Sequence, residues 1–151
     1  MKIAVDDLSG PEIAALLREH LDDMHATSPP ESVHALDLDA LREPGVTFWS
    51  AYDGSTLLGC GALKELDAGT GEIKSMRTAA AAKRRGVASA LLGHIVAEAR
   101  RRGYARLYLE TGSADFFAPA RALYARFGFQ PCGPFAGYTD DPHSSYFTRL
   151  L

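Results

Sequence analysis

The sequence predicts an α/β (α+β) fold: a mixed, mostly antiparallel sheet with flanking helices. Three observations carry this expectation. The 151 residues contain no internal repeat and no linker, and a length near the usual domain size of about 100–150 residues favours a single domain over 1–151. Three strand-like segments between Val46 and Thr78 follow one another with only turn signals between them, which makes a meander. A long amphipathic segment then separates the third of these from another strand, and a helical crossover of that kind joins parallel neighbours.

Taken in order, Ile3-Ala4-Val5 is a short apolar strand. Ser9-Gly10-Pro11-Glu12 predicts a helix start, with Ser9 as cap, Pro11 in the first turn and Glu12 completing a capping box. Ile13, Leu16, Leu17, Leu21 and Met24 recur at helical spacing, so this helix has one apolar face and ends near His25, before Pro29-Pro30. Asp37 to Arg42 reads as a short helix capped by aspartate and stopped by Glu43-Pro44-Gly45. Val46 to Tyr52 is β-branched and aromatic, Asp53-Gly54 is a hairpin signal, and Leu57 to Leu66 is apolar again. After Asp67-Ala68-Gly69-Thr70-Gly71, the run Glu72 to Thr78 forms the third antiparallel strand. Val87, Ala88, Leu91, Leu92, Ile95, Val96 and Ala99 mark the longest helix, which Gly103 stops. Arg106 to Thr111 alternates as a strand, Pro119 to Phe127 is helical with Gly128 at its end, and Phe129–Cys132 and Tyr146–Leu150 are two final strands.

Composition narrows the function classes. With 46% hydrophobic and 23% charged residues the chain is neither disordered nor fibrous. Sixteen basic against nineteen acidic residues leave a net charge of −3, which offers no global attraction to nucleic acid or anionic membrane. Cys60 and Cys132 fall in apolar stretches expected to be buried, without disulfide-scaffold or metal spacing, and fit a reducing cytoplasm. Met1 to Asp7 turns acidic before a signal-peptide core could form, and no apolar run reaches the roughly 20 residues that span a bilayer. No metal site is expected, because His25 and His34 lack supporting cysteine or carboxylate spacing.

The chemistry concentrates between Met76 and Ser89, a strand followed by Lys83-Arg84-Arg85-Gly86-Val87-Ala88 and a long helix. Backbone N–H groups at a helix start, a glycine that permits close approach and flanking cations make an anion site suited to a pyrophosphate. The spacing is neither a Walker loop nor Gly-x-Gly-x-x-Gly. An ordinary basic loop at a helix start is the plain alternative.

That loop, the strand ending Leu109-Glu110-Thr111 and the segment Leu123-Tyr124-Ala125-Arg126-Phe127-Gly128-Phe129 together resemble the GNAT superfamily of acetyl-CoA-dependent N-acetyltransferases. Glu72 to Arg77, Leu109 to Gly112, Pro119-Ala120-Arg121 and Pro134-Phe135 with Tyr138 are similar to its YsnE-like subgroup. Two departures stand out: Lys83 opens the loop where the family has arginine or glutamine, and Phe117 replaces a frequent pantetheine-binding asparagine. The resemblance implies the GNAT fold with splayed central strands, acetyl-CoA as acetyl donor, and direct attack by an amine on the thioester. It implies that Met76, Arg77 and Thr78 hold the pantetheine arm, and that the loop and helix start from Lys83 through Arg84, Arg85, Gly86, Val87 and Ala88 to Ser89 hold the pyrophosphate. Ala120 and Tyr124 on the last helix complete the cofactor site.

Acetyl transfer needs a base for the amine and an acid for the departing thiolate. By resemblance Tyr124 is the acid, and Glu72 is the base; as plain alternatives, Tyr124 packs in the core and Glu72 is an exposed strand residue paired with Lys74. Glu110, near the carboxyl end of its strand, is the second base candidate. His20, His25, Trp49, Tyr52 and the Tyr138-Asp140-Asp141 loop are candidates for the acceptor pocket, although strand aromatics such as Trp49 usually belong to the core. The expected acceptor is a small-molecule or peptide amine, with nucleic acid and membrane excluded as partners and a homodimer left open. The rival class is a module that holds acyl-CoA as a signal without catalysis.

Overall fold

The structure, a computed structural model, describes residues 1–33 and 37–151. Seven strands form one sheet in the order β1-β2-β3-β4-β5-β7-β6: β1 Lys2–Val5, β2 Val46–Asp53, β3 Thr56–Asp67, β4 Thr70–Thr78, β5 Arg106–Gly112, β6 Gln130–Cys132 and β7 Ser144–Leu150. Every pair is antiparallel except β4–β5, the pair joined through the long helix.

Helices α1 (Pro11–Thr27) and α2 (Leu38–Leu41) accompany one core, and α3 (Val87–Arg101) and α4 (Ala118–Arg126) the other. The larger core sets Leu91, Leu92, Ile95 and Val96 of α3 against Leu63, Ile73, Leu107 and Leu109 of the sheet. Each such side chain contributes about 1.5–3 kcal/mol by leaving water. The second core packs Ile13, Leu16 and Leu17 of α1 on Phe48, Cys60 and Ala62. Gly61 lets α3 settle onto β3, since a Cβ there would lie 2.6 Å from Met76 Sδ and 2.9 Å from Ile95 Cδ1.

Some local expectations need correcting. Gly10, not Ser9, is the cap residue of α1, and no side chain caps it; Ser9 Oγ instead donates to Asp7 Oδ1 at 2.6 Å. A carboxylate two residues back outcompetes the capping geometry. The helix runs to Thr27 because nothing before Pro29 opposes helical backbone. Cys60 is fully buried as expected, whereas Cys132 on the short outer strand β6 is half-buried, because no further strand covers that edge. No helix among the described residues is long and apolar enough to cross a membrane.

The feature that positions the site is an interruption. β4 and β5 pair only from Thr70↔Arg106 to Ile73↔Leu109. Opposite β3, Cys60 faces Arg77 and Ala62 faces Lys74, so one β3 residue, Gly61, confronts two on β4, Ser75 and Met76. This is a β-bulge, which adds twist and bends the strand that carries it. Ser75 takes φ 56°, a left-handed conformation that costs a non-glycine residue about 1 kcal/mol or more. Beyond the bulge β4 stays paired with β3, β5 stays paired with β7, and the two inner edges separate.

Candidate active site

A cleft of about 480 Å³ opens where β4 and β5 part. Its first end is the start of α3. Gly86 caps that helix with φ 79°, a conformation that favours glycine, and open space lies where its Cβ would be. The first backbone bond into the helix runs from Ala90 N to Gly86 O, so the N–H groups of the residues between them have no intrahelical partner. Lys83, Arg84 and Ala88 line the cleft here. Arg85 turns to Asp53, 3.8 Å away, Val87 sits in the core below, and Ser89 is half-buried on the first turn.

The middle is walled by Met76, Arg77 and Thr78 of β4 and by Ala120, Leu123 and Tyr124 of α4. Past the bulge these β4 residues offer their inner backbone edge to the cleft. Tyr124 both lines the cleft and packs against Phe129 and Phe147, so its packing and its access coexist. Burial and then the nearby Glu110 push its phenol above the usual tyrosine value and keep it protonated. Phe117 is buried at the cleft wall and covers Gly112, where a Cβ would meet its ring at 2.1 Å; it supplies apolar contact and no hydrogen bond.

The far end gathers side chains from five segments. Glu72 and Lys74 alternate on one face of β4 and are 3% and 9% exposed, so the pair is buried, not the exposed pair that the residue types alone suggested. Lys74 Nζ donates to Glu72 Oε2 at 3.1 Å and to Tyr138 Oη at 2.9 Å, and Tyr138 Oη donates to Glu72 Oε2 at 2.6 Å. Burial and the Glu72 carboxylate push the Tyr138 phenol up. Glu110 lies across the split on β5. Burial drives its carboxyl up to about 7, only partly offset by the Ser144 hydroxyl and the Lys74 ammonium. From α1, Glu19 and Asp23 accept hydrogen bonds from Arg77 at 2.6 and 2.5 Å, which ties the helix to β4. His20 also lines the cleft, and burial, reinforced by Arg77, lowers its imidazole to about 4. Ser32 Oγ donates to Asp141 Oδ2 at 2.6 Å and joins the loop after α1 to the loop before β7.

Among the expected residues, Glu72, Glu110, Met76, Arg77, Thr78, Lys83, Arg84, Ala88, Ala120 and Tyr124 therefore line one cleft, with Tyr138 bonded to its floor. Trp49 does not join them. It is 3% exposed in the α3-side core, edge-on to His94 at 5.8 Å and under Arg102 at 5.9 Å. His25 is exposed on the last turn of α1, outside the cleft lining. His34 lies outside the described residues, among which no group of three or more His, Cys, Asp or Glu could hold a metal ion. Sequence reasoning passed over Ser75, Met24 and Ser32 as cleft residues, and treated Lys74 only as a partner for Glu72. The Glu72/Lys74 spacing on an apolar strand was the one available signal.

The family model for the acetyltransferase (GNAT) family matches residues 13–129. The chain is 58% identical over 151 residues to the uncharacterized N-acetyltransferase YsnE of Bacillus subtilis, covering all of both chains. It is 50% identical over 149 residues to the uncharacterized N-acetyltransferase YedL of Escherichia coli, covering 99% of this chain and 94% of the relative. A crystal structure from Klebsiella pneumoniae, described as a candidate acyl-CoA N-acyltransferase, superposes with a TM-score of 0.79 at 28% identity, covering 99% of this chain and 97% of that one.

Proposed function

The chain belongs to the acetyltransferase (GNAT) family, in its YsnE-like branch, and is an N-acetyltransferase that uses acetyl-CoA; from this we propose that transfer takes place where β4 and β5 part, with Glu110 as base and Tyr124 as acid. The observation that carries the reading is the half-open parallel pair. Its unpaired inner edge on β4 suits an extended amide-bearing arm that adds like a strand, and it leads directly to the start of α3.

The residues fit the cofactor. The unpaired N–H groups after Gly86, with Lys83 and Arg84 beside them, would hold its pyrophosphate, and the β4 backbone from Met76 to Thr78 its pantetheine arm. Phe117 would give that arm an apolar face. Bound acetyl-CoA supplies the electrophilic thioester carbonyl and a thiolate leaving group.

Glu110 takes the proton from the acceptor amine. An ammonium has no lone pair, and a carboxyl poised at about 7 is ionised for about half the molecules at neutral pH yet basic enough to hold the proton it receives. Glu72 is less suited to that step, because its Oε2 is already engaged by Lys74 and Tyr138. It fixes Lys74 and Tyr138 as the floor beneath the acceptor. Tyr124 Oη, protonated at neutral pH, offers its proton to the leaving sulfur; burial raises the phenol and weakens it as an acid, so its hydrogen bond to the developing thiolate is the larger part of that role. Free Cys60 and Cys132 support the reducing cytoplasm as the place of work. A sensor that only held acyl-CoA would have no use for an acid and a base in the same cleft.

Thiol release from acetyl-CoA across a panel of small amines and peptide N-termini tests this. Steady amine-dependent turnover is expected; tight acetyl-CoA binding with no turnover on any amine would move the chain to the sensor class.

A further inference from the structure

The acceptor end of the cleft is strongly and unevenly charged. Glu72 and Glu110 line it beside the single ammonium of Lys74, and from α1 two carboxylates, Glu19 and Asp23, meet the one guanidinium of Arg77. The opposite end has the reverse sign, with Lys83 and Arg84 on the cleft wall. A polyanionic cofactor and its acceptor thus enter fields of opposite sign.

Second, the acceptor end holds buried polar atoms without a partner among the described residues. Ser75 is 8% exposed and lines the cleft at the bulge, yet its Oγ bonds to nothing. His20 Nδ1 is buried and unpartnered as well. A hydroxyl and a neutral imidazole can each accept an N–H, and leaving such atoms unsatisfied is costly. The unpartnered donor beside them, Arg77 Nε, belongs to a guanidinium already outweighed by Glu19 and Asp23.

A monoamine does not answer this surplus. Once its nitrogen has given up a proton to react, it is neutral and balances none of the remaining carboxylates. We propose that the acceptor is a di- or polyamine, whose second ammonium stays charged in the acidic end, with Ser75 Oγ and His20 among its hydrogen-bond acceptors, while the first is acetylated. The proposal rests on the acetyl-transfer reading and narrows its substrate class.

Three acceptors of the same length isolate the tail charge: 1,4-diaminobutane, n-butylamine and 4-aminobutyrate, with positive, neutral and negative tails. Calorimetry of each against the CoA-saturated protein decides the proposal, and thiol release from acetyl-CoA decides the transfer reading, so the two can fail separately. The expected order is diamine, then butylamine, then aminobutyrate, with steps of about tenfold, as one charge acting over about 10 Å at a protein surface gives. Asp23→Asn keeps a group that can accept from Arg77 and removes one charge, so it should shrink the diamine advantage several-fold. Equal binding, preference for 4-aminobutyrate, no binding of the diamine, or an advantage untouched by Asp23→Asn would overturn the proposal.

Discussion

The two ends of the cleft are built in different ways. The α3 end is made by one stretch of chain, Met76 to Ser89, whose backbone does the work: a left-handed Gly86, free N–H groups and two cations nearby. The acceptor end is made by side chains from α1, β4, β5 and the loop before β7, brought together through contacts such as Tyr138 to Glu72, 66 residues apart. Backbone sites tolerate exchange of side chains, whereas a site of converging side chains depends on each one. Variants on the two sides should therefore fail in different measurements, binding on one and turnover or stability on the other.

The largest effect is expected at the junction. Tyr124→Phe keeps the ring that packs on Phe129 and Phe147 and removes the hydroxyl. Turnover should fall by about 10²–10⁴-fold, as loss of general acid catalysis gives, while calorimetry shows unchanged CoA affinity. A variant that turns over normally would return Tyr124 to the core alone.

On the acceptor side, Lys74→Met strands the buried Glu72 carboxylate without its cation. Unfolding by denaturant should show a loss of about 3 kcal/mol, in the range for breaking a buried pair. CoA affinity should hold in the folded fraction. Unchanged stability would mean that the pair is not buried as described.

At the α3 end, Gly86→Val places a branched side chain at φ 79° in open space, so the fold persists with some strain. The Kd for CoA should rise by about 10–100-fold, the loss of one or two good charge-assisted hydrogen bonds. An unchanged Kd in a folded protein would remove this loop from the site.

The legibility of the chain follows the same division. Element order was readable because α3 carries its own apolar period and Gly103, Gly128 and Asp53-Gly54 mark their own turns. The loop and helix start from Lys83 to Ser89 were readable because they are contiguous. The burial of Glu72 and the raised carboxyl of Glu110 were not, since both depend on how the strands and the loop before β7 pack around them, which no local pattern encodes. Trp49 was ambiguous for a similar reason: strand alternation tells that it faces one side, not that α3 covers that side.

The smallest effect should come from Glu72→Gln. The amide retains its place beside Lys74 and Tyr138 but removes one of the charges that raise Glu110, so the acid limb of the pH–rate profile should persist and move slightly to lower pH, with a modest drop in rate. Loss of that limb would make Glu72 the base.

The central claim is that Glu110 accepts the proton, and the pH dependence of kcat for the unmodified protein and Glu110→Gln tests it most directly. Because the carboxyl is raised to about 7, the base is lost as pH falls through that value, so the unmodified protein should show a rate that declines below about pH 7 and levels off above it. Glu110→Gln should lower the plateau by about 10²-fold or more and abolish the acid limb. A limb that persists near pH 7 in Glu110→Gln, with the plateau intact, would contradict the account.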